Sequence, residues 1–204
     1  MKITLIDYGA GNLPSVERAL QRLGADTQRT NSPERLATAS AIVLPGVGHY
    51  AALIRALDRD GMRDALLQAI RKGVPFLGIC LGLQALYQSS DEAPELRGLK
   101  IFSGAVSSLT TTVKLPHMGW NQLLSSGESR LLQGIGRDAF FYFAHSYAVC
   151  RNGSPPPEAR ATCTYGGAFV SVAEQDNIFA VQFHPEKSAD AGQRVLQNFV
   201  RIAA

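Results

Sequence analysis

Paired cysteine is missing from this sequence. Its three cysteines, Cys80, Cys150 and Cys163, are an odd number without C-x-x-C spacing, which argues against a disulfide framework or a structural zinc site and fits reduced thiols. A basic stripe is missing as well: the net charge is only +3, with Lys and Arg scattered, so nothing argues for nucleic acid. The N-terminus reaches Asp7 after a short apolar run, which fits neither a signal peptide nor a membrane span, and the cytoplasm is the expected compartment. There is no internal repeat, and the clearest loop, residues 151–157, is too short to link two domains. Gly9-Ala10-Gly11 follows the first apolar run as in a dinucleotide fingerprint. Pro14 stands where the third glycine belongs, which disfavours nucleotide binding.

What is present is a chain of 204 residues, 46% hydrophobic and 18% charged, enough to bury one sizeable core, so a single domain over residues 1–204 is expected. Apolar runs alternate with helix-period stretches through the first half. That pattern predicts an α/β fold with three layers, an open and mostly parallel sheet carrying helices on both faces. Strands are expected at 2–6, 41–44 and 75–79, and helices at 14–23, 49–57, 62–72 and 83–87. The second half breaks into short β-like runs at 105–112, 140–143, 147–150, 161–165, 169–173 and 178–182, read as antiparallel additions. A last amphipathic helix over 191–202 turns Val195, Leu196, Phe199 and Val200 inward.

Cys80 stands between Gly78 and Gly82, after an apolar run and before a helical stretch, the arrangement of a nucleophile elbow whose glycines remove crowding Cβ atoms. At a helix start the sulfur would meet N–H groups that favour its thiolate, and the amide of Leu81 would face a developing oxyanion. A buried structural cysteine is the competing reading. His184-Pro185-Glu186 bears on that choice, because proline holds its predecessor extended and turns residues i and i+2 the same way. Glu186 could then orient the imidazole of His184, leaving the other nitrogen to exchange a proton with Cys80. An exposed loop histidine is the bland alternative. Pro45-Gly46-Val47-Gly48 lies at a carboxyl strand end, where open sheets bind ligands, and offers either a second oxyanion N–H or a plain turn.

Residues 78–84 and 184–186 together resemble the class I glutamine amidotransferases. Segments 7–13, 44–48, 114–121, 141–147 and 183–188 extend the likeness across the chain, toward the glutaminase subunits of imidazole glycerol phosphate synthases of histidine biosynthesis. The resemblance implies that Cys80 attacks the glutamine side-chain amide to form a glutamyl thioester, with His184 as base and Glu186 as its orienter. It implies oxyanion amides from Val47 and Leu81, and a glutamine site of Gly46, Gly48, Gln84, Ser146 and Tyr147. No cofactor and no metal are implied.

The residues left over are too few for a second substrate domain, so the ammonia is expected to pass to a partner. The resemblance names that partner as the cyclase subunit, a (β/α)8 barrel that yields imidazole glycerol phosphate and aminoimidazole carboxamide ribotide; neither nucleic acid nor membrane is expected. An extended backbone over 114–121 puts Met118 and Trp120 on one face and His117, Gly119 and Asn121 on the other. Read alone, Trp120 is a core residue. The resemblance turns Pro116, His117, Met118, Trp120 and Asn121 into a docking segment, with Asn12, Tyr142 and Lys187 beside it. A glutaminase serving another synthase, such as one for anthranilate or pyridoxal phosphate, and a non-catalytic regulatory module remain the alternatives. Leu83, Ala85, Pro14 and the 151–157 loop depart from the family pattern without touching the triad.

Overall fold

Short apolar strands and amphipathic helices assemble here because each buries one face against the other. The computed structural model describes residues 1–9, 12–59, 61–109, 112–125, 127–150 and 155–204. In chain order the first half runs β1 (Lys2–Ile6), α1 (Leu13–Arg22), β2 (Asp26–Thr30), α2 (Pro33–Ala37), β3 (Ile42–Gly46), α3 (Tyr50–Asp58), α4 (Met62–Arg71), β4 (Phe76–Cys80) and α5 (Leu81–Gln84). It continues with β5 (Ser89–Ser90), β6 (Ala105–Ser108), β7 (His117–Gln122), β8 (Leu124–Ser125), β9 (Phe140–His145), β10 (Tyr147–Ala148), β11 (Ala159–Thr164), β12 (Ala168–Gln175), β13 (Ile178–Val181) and α6 (Ala189–Ala203).

The main sheet has the order β2-β1-β3-β4-β13-β12-β11-β8. Its first five strands are parallel, and β12, β11 and β8 follow, each antiparallel to the strand before it. Two small sheets, β10-β6-β5 and β7-β9, stand apart. Side chains alternate between the sheet's faces, so two cores form. Ile42, Leu44 and Phe76 pack with α2, α3 and α4 on one face; Val43, Leu77 and Ile79 pack with α1 and α6 on the other. The expected three-layer α/β architecture with antiparallel additions is what the chain adopts. Every residue of β3 and β4 is buried, which is why both read as unbroken apolar runs. In α6, Val195, Leu196 and Phe199 are buried, and about 1.5–3 kcal/mol for each such side chain outweighs the few tenths of helix propensity.

Three expectations need correction. The pair β2 and α2 was not foreseen, because Asp26-Thr27-Gln28-Arg29-Thr30 is polar: β2 is an edge strand, with only Thr30 buried. The helix expected over 83–87 is a single turn that ends at Gln84. Beyond it, the carbonyls of Ala85 and Leu86 accept from the amides of Leu99 at 2.7 Å and Ile101 at 2.9 Å, so a returning segment takes the bonds a longer helix would need. Trp120 does not enter the core but is 49% exposed on β7. Gly11, most of the 151–157 loop and the end of the 105–112 run lie outside the described residues.

Candidate active site

The central strand β4 ends at Cys80, between parallel neighbours β3 and β13. Cys80 adopts φ 54° and ψ −105°, a conformation costly for any residue with a Cβ and held only because its surroundings over-determine it. The elbow forms where three backbones crowd together. A Cβ on Gly78 would stand 2.6 Å from the Gly82 carbonyl oxygen, and one on Gly82 would overlap the Leu44 carbonyl oxygen of β3. The expectation that these two glycines clear the turn is met. The Cys80 sulfur accepts from Gln182 Nε2 at 3.5 Å and lies close enough to the His184 imidazole to influence its titration.

His184 arrives just past the end of β13, the strand beside β4. Its amide donates to the Tyr142 carbonyl at 2.9 Å, and Ser188 Oγ donates to its own carbonyl at 2.7 Å. His184 is extended, at φ −99° and ψ 96°, and its Nδ1 lies 3.0 Å from Glu186 Oε1, with both side chains buried. Asn12 Nδ2 donates to the same carboxylate oxygen at 3.3 Å. Burial works against a charged imidazole here. The neighbouring Cys80 sulfur and the Glu186 carboxylate, which accepts from the imidazole, outweigh it and raise the His184 pKa to about 10. Cys80 and Glu186 thus both act on His184, the histidine expected to serve them.

A cavity of about 200 Å³ opens beside the sulfur, smaller than a drug-sized site and bounded by Gly48, Cys80, Gln84, Glu92, Ser146 and Tyr147. Val47 and Leu81 also face it, while Gly46 is the register partner of Cys80 on β3. Gln84 Nε2 donates to the Tyr147 carbonyl at 2.8 Å and to Gln182 Oε1 at 3.2 Å. Its Oε1 is buried and has no donor among the described residues, an acceptor left for a ligand. Glu92, which the sequence did not single out, brings a carboxylate to the cavity wall and fixes it by accepting the Tyr50 amide at 2.7 Å. The signal was faint: one acid in a turn-rich stretch, far from either motif.

Val47 is engaged elsewhere. Its amide donates to the Tyr8 hydroxyl at 3.0 Å, and that hydroxyl donates back to the Val47 carbonyl at 3.1 Å. Burial, partly offset by the Val47 bond, pushes the Tyr8 pKa up to about 12, so the hydroxyl keeps its proton. An oxyanion amide was expected at Val47, and here that amide already has an acceptor.

Of the proposed docking residues, Met118 and Trp120 are exposed, at 64% and 49%. The Trp120 ring meets the Tyr142 ring edge-on at 5.8 Å, and Lys187 Nζ stands over Tyr142 at 5.8 Å, so these residues are contiguous. Pro116 borders the cavity, and Asn12 supports Glu186. His117 is the exception. It is 1% exposed, stacked on Tyr165 at 4.0 Å, and hydrogen-bonded to Asn121 and His145, because its place in the strand alternation turns it inward.

The chain matches the family described as Glutamine amidotransferase class-I over residues 4–203. It is 46% identical to the imidazole glycerol phosphate synthase subunit HisH of Methanothermobacter thermautotrophicus, over 98% of both chains. It is 44% identical to the HisH subunit of Aquifex aeolicus, over 100% of this chain and 98% of that one. Among solved structures it superposes on a glutamine amidotransferase with a TM-score of 0.76 at 20% identity, covering 98% of each chain. A PurLQS structure from Thermotoga maritima gives a TM-score of 0.76 at 16% identity, covering 100% of this chain and 99% of that one. These two likenesses concern the fold. Among the described residues no helix is long and apolar enough to cross a membrane.

Proposed function

Since the chain belongs to the class I glutamine amidotransferases, and within them to the HisH glutaminase subunits of imidazole glycerol phosphate synthase in histidine biosynthesis, we propose that Cys80, His184 and Glu186 hydrolyse glutamine in the cavity beside the elbow. The carrying observation is Cys80 at positive φ on the central strand end, beside an imidazole whose Nδ1 a buried carboxylate fixes. The sulfur, its proton held by His184, adds to the side-chain amide carbon. The Leu81 amide, with a Val47 amide turned inward, stabilises the oxyanion. His184 then protonates the amide nitrogen, the C–N bond breaks and ammonia leaves a glutamyl thioester. The neutral imidazole takes a proton from water, the hydroxide adds to the thioester carbon, and collapse expels the sulfur with glutamate. Gln84 Oε1 would accept an N–H from bound glutamine, and Glu92 would pair with its ammonium. Gly46, Gly48, Ser146 and Tyr147 would shape the site around the rest.

The 204 residues would act as one cytoplasmic domain and deliver ammonia to the cyclase subunit, which makes imidazole glycerol phosphate and aminoimidazole carboxamide ribotide. Exposed Met118 and Trp120 on one face of β7, with Trp120, half-buried Tyr142 and Lys187 contiguous, support docking there. Glutamate release from glutamine, measured with and without the cyclase subunit, tests this reading. Absence of glutamate in both conditions would end it.

With the Val47 amide tied to Tyr8, slow turnover is expected from the isolated chain. Tyr8→Phe removes the acceptor that holds that amide away from the sulfur. Its expected effect is a rise of about tenfold in basal glutaminase rate, a part of the ~10²–10³ that one oxyanion donor is worth. Rates with the partner bound should move little. An unchanged or lower basal rate in a folded variant would show that Tyr8 does not restrain the loop.

A further inference from the structure

Two buried histidines are not used by the chemistry above. His117 on β7 and His145 on β9 are register partners, with His117 Nδ1 lying 3.2 Å from His145 Nε2. His145 Nδ1 lies 2.9 Å from the Tyr147 carbonyl oxygen, and His117 Nε2 lies 2.8 Å from Oδ1 of the Asn121 amide. Burial lowers both imidazole pKa values, that of His145 to about 3, so both rings are neutral near pH 7.

Neutrality fixes the direction of every bond. A neutral imidazole carries one N–H and one bare nitrogen. The Tyr147 carbonyl can only accept, so the proton of His145 is on Nδ1 and its Nε2 is bare. His117 must then donate from Nδ1, which leaves its own Nε2 bare as well. That nitrogen needs a donor, so the Asn121 amide presents its NH2 there, the oxygen and nitrogen of such an amide exchanging places by a half-turn. N–H groups therefore point one way, from Asn121 through His117 and His145 to the Tyr147 carbonyl. Gln84 Nε2 donates to that same carbonyl at 2.8 Å and to Gln182 Oε1, while Gln182 Nε2 reaches the Cys80 sulfur.

We propose that His117 and His145 are positioning residues for glutamine turnover: their one-way chain of donors fixes the Tyr147 carbonyl, and through it the Gln84 amide and the Ser146-Tyr147 wall, relative to Cys80. The chain begins on the strand that exposes Met118 and Trp120, so the strand proposed to meet the partner is tied to the substrate cavity through polar bonds. The His117 ring is stacked on Tyr165 and on Phe143, with interplanar angles of 13° and 17°, which gives it little freedom to rotate out of line. The inference rests on the glutaminase reading for its purpose but not for its proton order.

The proton order is testable without activity. The chain has four histidines, His49, His117, His145 and His184, so long-range proton–nitrogen correlation spectra of histidine-labelled protein are assignable. His117 and His145 should both appear as neutral rings protonated on Nδ1 at pH 7; an Nε2-protonated or charged ring at either position overturns the order. With partner present, His145→Leu should raise the KM for glutamine about tenfold while kcat changes less than threefold. His145→Asn, which keeps a donor near the Nδ1 position, should recover most of that loss. Equal KM in the two variants would refute the positioning role. Should His145→Leu not fold, Asn121→Ala removes the first donor without opening the core: a KM rise of about threefold with a shifted His145 nitrogen resonance supports the chain, and unchanged values for both refute it. Wild-type protein without glutaminase activity would overturn the functional reading and leave the spectra to judge the proton order.

Discussion

Cys80→Ala is expected to lower glutamate release from glutamine by roughly 10⁴-fold or more, the scale on which removal of a covalent nucleophile leaves only binding and oxyanion stabilisation. The sulfur is the one group at the elbow able to form a thioester, and Gln182, its hydrogen-bond neighbour, has no nucleophilic atom to take its place. A variant that keeps a tenth of wild-type activity would remove Cys80 from the mechanism. The same substitution has a second readout. The His184 pKa, held at about 10, lies above the ordinary value near 6.5, so its contribution to stability is fully present below about pH 6.5 and is lost as pH rises through about 10. Burial pulls that pKa down, whereas the neighbouring Cys80 sulfur and Glu186 carboxylate pull it up. Without the sulfur the His184 titration should move downward in the nitrogen spectra, leaving Glu186 as its remaining upward influence.

Gly82→Ala is expected to destabilise the fold by about 3–5 kcal/mol, as overpacking against immovable backbone does. The added methyl group would overlap the carbonyl oxygen of Leu44, a residue in the middle of the fully buried β3, so neither partner can yield as a side-chain tip would. At ~2–4 °C per kcal/mol for a chain of this size, the melting temperature should fall by roughly 6–20 °C. Gly134→Ala is the contrast: φ is +74° there, but no atom lies within 4 Å of the added carbon, so its cost is confined to backbone strain, about 1–2 kcal/mol. A Gly82→Ala protein melting within 2 °C of wild type would show that the elbow has room the packing denies.

The strands that hold the site were legible because they are buried on both faces, and no polar residue interrupts β4 before Cys80. The elbow at Cys80 and the pairing of His184 with Glu186 were legible because both follow from local backbone rules. What escaped the sequence depends on contacts between distant segments. Glu92 reaches the cavity through the Tyr50 amide, 42 residues away, and Tyr8 meets Val47 across 39. His117 illustrates the opposite error. Family likeness placed the whole 116–121 segment at a surface, although strand alternation, applied to the same residues, puts His117 opposite Met118 and Trp120 and therefore inside. The polar β2 was missed because an edge strand lacks the apolar signature of a central one.

Trp120 is the chain's single tryptophan, and it lies half-exposed on β7 with its ring against Tyr142. The molecule thus carries a built-in optical gauge whose emission comes from one place. Whatever closes over that strand carries the indole from a wet to a drier medium and shifts its fluorescence toward the blue. No dye or tag is needed to watch this face become covered.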